Sequence, residues 1–178
     1  VMKMRGKVII ITGGSSGMGK YMAKQLTEEG AKVVITGRSL ERLLAAKAEM
    51  QMADELIYPI EMDVRNVDQV EEMVKQIDER FGRIDALINN AAGNFICAAE
   101  DLTPNGWKTV IDIVLNGTFY CSSAVGKYMI KKGIKGSILN MVATYAWGAG
   151  PGVIHSASAK AGVLALTRTL AVDASYKN

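Results

Sequence analysis

KVIIITGGSSGMGK, residues 7 to 20, is the stretch that decides the fold. An apolar, β-branched run (7–12) breaks into glycines and serines, and a helical pattern, MGKYMAKQLTEE (18–29), begins at once. A strand turning this tightly into a helix opens a βαβ unit. Gly13, Gly17 and Gly19 fall in the pattern TGxxxGxG, with Ser15, Ser16 and Met18 in the same loop. Glycine lets the backbone turn sharply and come within contact distance of a pyrophosphate. The helix N-terminus adds free N–H groups and a favourable dipole. The other reading of the stretch is a glycine-rich turn with no ligand.

Outward from this unit the same alternation recurs. KVVIT (32–36), LIYPIEM (56–62), ALINN (86–90) and SILNM (137–141) read as further strands. Strands this continuously apolar suit a parallel sheet covered on both faces. LERLLAAKAEM (40–50) and VDQVEEMVKQIDERF (67–81) carry apolar residues at helical spacing. Asn66 is expected to cap the helix at 67–81, while Gly30 and Gly82 are expected to stop the first and third helices. Two longer helices are expected over 107–131 and 156–174. The pattern predicts an α/β fold, a doubly wound parallel sheet of the Rossmann type with right-handed crossovers, as one domain over 1–178. The last helix should lead into another strand, yet nothing follows Asn178, so the C-terminal strands and the part covering the substrate are expected to be absent.

Composition narrows the classes further. A chain of 178 residues can bury one sizeable core. No apolar run approaches the roughly 20 residues needed to span a bilayer, so no membrane association is expected. The opening VMKMRGKVIIITGG reads as a first strand, because it breaks into glycines and not into a cleavage site. The net charge of +3 is spread along the chain, which argues against a nucleic-acid partner. Cys97 and Cys121 form no metal-ligand spacing and read as reduced thiols of a cytoplasmic protein; no metal is expected.

A second signal bears on the nucleotide. After the second strand an NAD-selective site would carry an acid for the ribose 2′-hydroxyl. This chain has ITGRS, with Arg38 and Ser39 there. A guanidinium can pair with a 2′-phosphate, which favours NADPH over NADH. The alternative is that Arg38 is a solvated residue at a helix start.

Taken together, these motifs identify a resemblance to the short-chain dehydrogenase/reductase family over the whole chain. TGGSSGMG matches the cofactor loop, and Asp63-Val64 stands where the family places an adenine-contacting aspartate. NNAAG (89–93), with Asn90, Ala91 and Ala92, matches the motif that supports the sheet and lines the nicotinamide side. Asn116 matches a helix asparagine linked through water to the lysine. Lys160 matches the lysine that holds the nicotinamide ribose and lowers the pKa of a tyrosine.

Two positions depart from that pattern. The usual tyrosine is Ser156 and the usual serine is Ala143. Reduction of a ketone needs an acid to protonate the alkoxide, and neither residue can serve. Tyr145, in the loop leaving the fifth strand, is the natural replacement, because open α/β sheets place ligands at that edge. Ser156 and Lys160 are one helical turn apart, so Ser156 is expected to hold the ammonium. The other reading of Tyr145 is a packed aromatic beside Trp147.

NNAAGNF, DIVLNGTFYC and a serine-for-tyrosine SASAKAG segment resemble, within that family, the 2,4-dienoyl-CoA reductases. The resemblance implies NADPH-dependent hydride delivery to C5 of a 2,4-dienoyl thioester in unsaturated fatty acid oxidation. Charge would pass to the thioester oxygen as a dienolate, with a proton then added at the α-carbon. Tyr145 and Asn94 would be the two donors to that oxygen. An acyl-CoA partner and a homotetramer built on the long helices are implied as well. Two alternatives stand beside this: another NADPH-dependent carbonyl or 3-ketoacyl reductase, and a non-catalytic nucleotide-binding member. His155 reads as structural, Glu100 and Asp101 as solvated, Lys20 and Lys24 as surface charges. The ten methionines read as core filling, and Asn94, by itself, as a turn residue.

Overall fold

The computed structural model describes residues 2–175; Asn178, at the end of the chain, lies outside the described residues. Strands β1 (Val8–Thr12), β2 (Lys32–Gly37), β3 (Ile57–Glu61), β4 (Ala86–Asn89) and β5 (Ser137–Asn140) form a parallel sheet in the order β3-β2-β1-β4-β5. Helices α1 (Gly17–Glu28), α2 (Leu40–Met50), α3 (Val67–Phe81), α4 (Pro104–Val110), α5 (Gly117–Lys132) and α6 (Ile154–Ser175) complete the doubly wound fold.

The sheet is covered on both faces because successive strand residues point to opposite sides. Ile9 and Ile11 of β1 join Val33, Ile35, Leu43 and Met50 in one core. Val8 and Ile10 join Met73, Ile77, Leu87 and Val125 in the other. Each fully buried side chain of this kind contributes about 1.5–3 kcal/mol, so the apolar strands hold the layers together. Pro59 sits in β3 at the sheet edge, where a missing N–H is tolerated.

Local signals act as their chemistry requires. Asn66 Oδ1 accepts from the Gln69 N–H at 3.1 Å and caps α3, which Gly82 ends in the left-handed conformation. Gly30, also left-handed at φ 94°, follows the end of α1.

The helix expected over 107–131 needs correction. It begins at Pro104, capped by Thr103, and a π-helical turn over Ile111–Asn116 separates α4 from α5. There the Gly117 N–H reaches the Asp112 carbonyl five residues back. Gly117 is pressed onto β3's exit: a Cβ on it would lie 2.6 Å from Val64 Cγ2. A π turn inserts one residue and rotates the helix beyond it, which apolar spacing alone does not reveal.

Candidate active site

The order β3-β2-β1-β4-β5 reverses direction between β1 and β4, and crevices for ligands open at such switch points. A cleft of about 550 Å³ lies there. Gly13, Ser15, Ser16, Met18, Arg38, Ser39, Asp63, Val64, Asn90, Ala91 and Ala92 all line it. A larger apolar groove of about 700 Å³ runs between α5, β5 and α6, and none of the candidate site residues borders it.

The glycine loop is shaped by contact. Gly13 and Gly17 have φ of 67° and 53°, a region L side chains avoid. A Cβ at Gly19 would lie 2.2 Å from the Gly13 carbonyl oxygen, so α1 can pack on the loop only with glycine there. At Gly17 nothing stands within 4 Å, and that side of the loop is open space. Asn90 Nδ2 donates to the Gly13 carbonyl at 3.1 Å. The N–H groups of Asn90 and Ala91 both donate to Thr12 Oγ1, at 3.0 and 2.9 Å. This closed-behind, open-in-front cradle fits a pyrophosphate. Thr12 is the threonine of TGxxxGxG; its place in the motif is legible in the sequence, and its two donors from the loop after β4 are seen only in the fold.

Further along the cleft, Arg38 is exposed and Ser39 caps α2, its Oγ accepting from the Arg42 N–H at 3.3 Å. Arg42 lines the same cleft and is absent from the motifs; a second arginine one turn after Arg38 is its only sequence signal. Asp63 is gripped by Arg65, whose Nη2 donates to Oδ2 at 2.7 Å and Nε to Oδ1 at 3.0 Å. That hydrogen-bonded pair holds the Asp63 carboxyl below the usual range, with Arg38 adding a smaller push.

The remaining residues gather around the N-terminus of α6. Tyr145 Oη lies 2.8 Å from Ser156 Oγ. Lys160 Nζ donates to the Met141 carbonyl at 2.6 Å, and burial pushes its pKa down. The expectation that Ser156 holds the ammonium is corrected here. Its hydroxyl instead pairs with Tyr145, because the short side chain meets the turn at Thr144–Ala146 while the longer lysine reaches the end of β5. Ala143 offers only a methyl group.

Asn116 Nδ2 donates to Asp112 Oδ1 at 2.8 Å inside the π turn, and Asp112 also pairs with Lys108. Asn94 is exposed, and its Oδ1 accepts from the Phe95 N–H at 2.9 Å. That leaves the Nδ2 group as the side chain's donor. A polar chain, buried at Asn89 and Ser122 and half-buried beyond, ties β4, β5, α5 and α6: Asn89 Nδ2 donates to Ser122 Oγ and Asn140 Oδ1, and Asn140 Nδ2 donates to Thr167 Oγ1. Sequence reasoning gives no sign of Asn140 or Thr167. Tyr145, Asn94 and Lys160 thus carry a phenol, a carboxamide and a tethered ammonium on the loops after β5 and β4 and on α6, and none of the three lines the switch-point cleft.

Comparison with known proteins gives the family of this fold. The family model for short chain dehydrogenase matches residues 7–178. The chain is 60% identical over 170 residues to a probable 2,4-dienoyl-CoA reductase [(2E)-enoyl-CoA-producing] of Bacillus subtilis, covering 96% of this chain and 67% of that one. A probable 2,4-dienoyl-CoA reductase 3 [(3E)-enoyl-CoA-producing] of Caenorhabditis elegans is 39% identical over 172 residues. That match takes in 96% of this chain and 56% of the relative. A crystal structure of a short chain dehydrogenase from Bacillus anthracis superimposes with a TM-score of 0.93 at 68% identity, over 97% of this chain and 71% of that one. The chain thus spans between little more than half and about two thirds of these curated relatives. By sequence and by shape, the chain belongs to the short chain dehydrogenase family.

Proposed function

We propose that the protein is an NADPH-dependent 2,4-dienoyl-CoA reductase acting in the oxidation of unsaturated fatty acids, in the cytoplasm and as a homotetramer. The observation that carries the reading is the pairing of Tyr145 with Ser156, at the position where a ketone reductase of this family would have its tyrosine. The relatives named for dienoyl-CoA reduction support the substrate class.

In this reading the Gly13–Gly19 loop receives the pyrophosphate, Arg38, Ser39 and Arg42 the 2′-phosphate, and Asp63 and Val64 the adenine. Asn90, Ala91, Ala92 and Lys160 border the nicotinamide end. When bound, the reduced nicotinamide supplies a hydride to C5 of the dienoyl thioester. The protein's own task is then electrostatic. The Tyr145 hydroxyl and the Asn94 amide donate to the thioester oxygen, where the charge of the dienolate collects. Ser156 fixes the phenol. Lys160, tied to the Met141 carbonyl, keeps a positive charge near the ribose, and Asn116 supports it from the π turn. A proton reaches the dienolate last: at the α-carbon, as the resemblance implies, it gives a 3-enoyl product, and at C4 it gives the 2-enoyl product for which the Bacillus subtilis relative is named.

A neutral phenol suffices here because no alkoxide forms. The test is substrate discrimination by the complete protein. NADPH consumption with a 2,4-dienoyl-CoA, and none with a 3-ketoacyl thioester, is expected. The reverse preference would assign a carbonyl reductase, and binding without turnover on either would assign a non-catalytic member.

A further inference from the structure

The loop after β4 and the loop before α6 are tied together beside the site. The Cys97 N–H donates to the Gly152 carbonyl at 3.0 Å, and a Cβ on Gly152 would lie 2.8 Å from Ile96 Cγ2. Between these ties and the reacting groups, the Phe95 ring meets the His155 ring edge-on, with centroids 4.5 Å apart and planes at 74°. Phe95 also donates its N–H to Asn94 Oδ1 at 2.9 Å. His155 directly precedes Ser156, which bonds Tyr145. A short path therefore runs from Asn94 through Phe95, His155 and Ser156 to Tyr145.

His155 is 0% exposed, and its ring nitrogens have no hydrogen-bond partner among the described residues. What it presents is a firm aromatic surface. Phe95 is 43% exposed, so it fills little core and its removal sacrifices little burial. A large apolar side chain left half in solvent, yet seated on a buried ring and bonded to a site residue, constrains position more than stability.

We infer that Phe95, seated on His155, is a positioning residue that sets the separation between the Asn94 amide and the Tyr145 phenol. The inference rests on the reading of those two groups as oxyanion donors. Such donors act within a narrow range of about 2.7–3.1 Å from the developing charge. A misplacement of about 1 Å can lower a rate by about 100-fold.

A double-mutant cycle in the complete protein tests this, comparing Phe95→Ala, Asn94→Ala and the two together on a 2,4-dienoyl-CoA. Phe95→Ala is expected to lower kcat roughly tenfold, a partial misplacement. The NADPH dissociation constant, KM and thermal midpoint should stay nearly unchanged, and Phe95→Tyr should restore turnover. In the Asn94→Ala background, Phe95→Ala should add nothing. Fully multiplicative losses, or a loss carried by the midpoint or by cofactor affinity, would overturn the positioning role while leaving the donors in place. Full turnover in Asn94→Ala alone would overturn both this inference and the reading beneath it.

Discussion

Tyr145 and Ser156 share a hydrogen bond of 2.8 Å that joins the turn after β5 to the first turn of α6. Ser156 is 2% exposed and Tyr145 half-buried, so water replaces the bond only in part when it is lost. Ser156→Ala should therefore loosen the phenol without removing it. A fall in kcat of roughly threefold to tenfold is expected, the worth of one such bond. Steady-state kinetics with a dienoyl-CoA checks it, with NADPH affinity unchanged as the control.

Arg38 and Arg42 line the cleft beside Ser39, and the carboxylate among its lining residues, Asp63, is already engaged by Arg65. Loss of one charge-assisted contact to a 2′-phosphate removes about 1.5–3 kcal/mol. Arg38→Ala should thus weaken NADPH binding by roughly 10- to 100-fold and leave NADH binding unaltered. Fluorescence titration with both nucleotides reads the difference. Equal losses for the two would show that the arginine does not discriminate.

A Cβ on Gly19 would meet the Gly13 backbone carbonyl at 2.2 Å and Asn90 Nδ2 at 2.6 Å, and the backbone contact cannot yield. Gly19→Ala should push α1 off the loop and abolish nucleotide binding. Gly126, inside α5, has nothing within 4 Å of an added Cβ. Gly126→Ala should instead stabilise the fold by up to about 1 kcal/mol through helix propensity. Thermal melts and nucleotide titration of the two variants, side by side, separate a local clash from a general intolerance of alanine.

Burial lowers the pKa of Lys160 beneath the ordinary 10.5. Between that lowered value and 10.5 the unfolded chain holds the proton and the folded chain does not, so this group's contribution to stability rises with pH there. Any function that needs the ammonium moves the other way. Nucleotide affinity of the free protein should decline on an alkaline limb that begins below pH 10.5. Lys160→Arg should remove that limb, because a guanidinium keeps its charge.

Most of the fold is legible in the sequence because each layer obeys a single periodicity. Isoleucines on both faces of β1 mean a sheet covered twice, and Asn66 and Gly82 mark the ends of α3 by chemistry that acts within one turn. The π turn at Ile111–Asn116 is not legible because its cause is tertiary, the approach of Gly117 to Val64. At the site the cofactor loop is readable from its glycines. The partners of Lys160 and Ser156 are not, since helical spacing says which side chains share a face and not how far each reaches. Asn140 and Thr167 stay hidden for a similar reason: they bond each other between β5 and α6, far apart in sequence.

The most direct measurement is single-turnover oxidation of bound NADPH by a 2,4-dienoyl-CoA, in the complete protein and in Tyr145→Phe. Removing one oxyanion donor should slow the step by about 100- to 1,000-fold with nucleotide affinity unchanged. An unaltered rate in Tyr145→Phe would contradict the account.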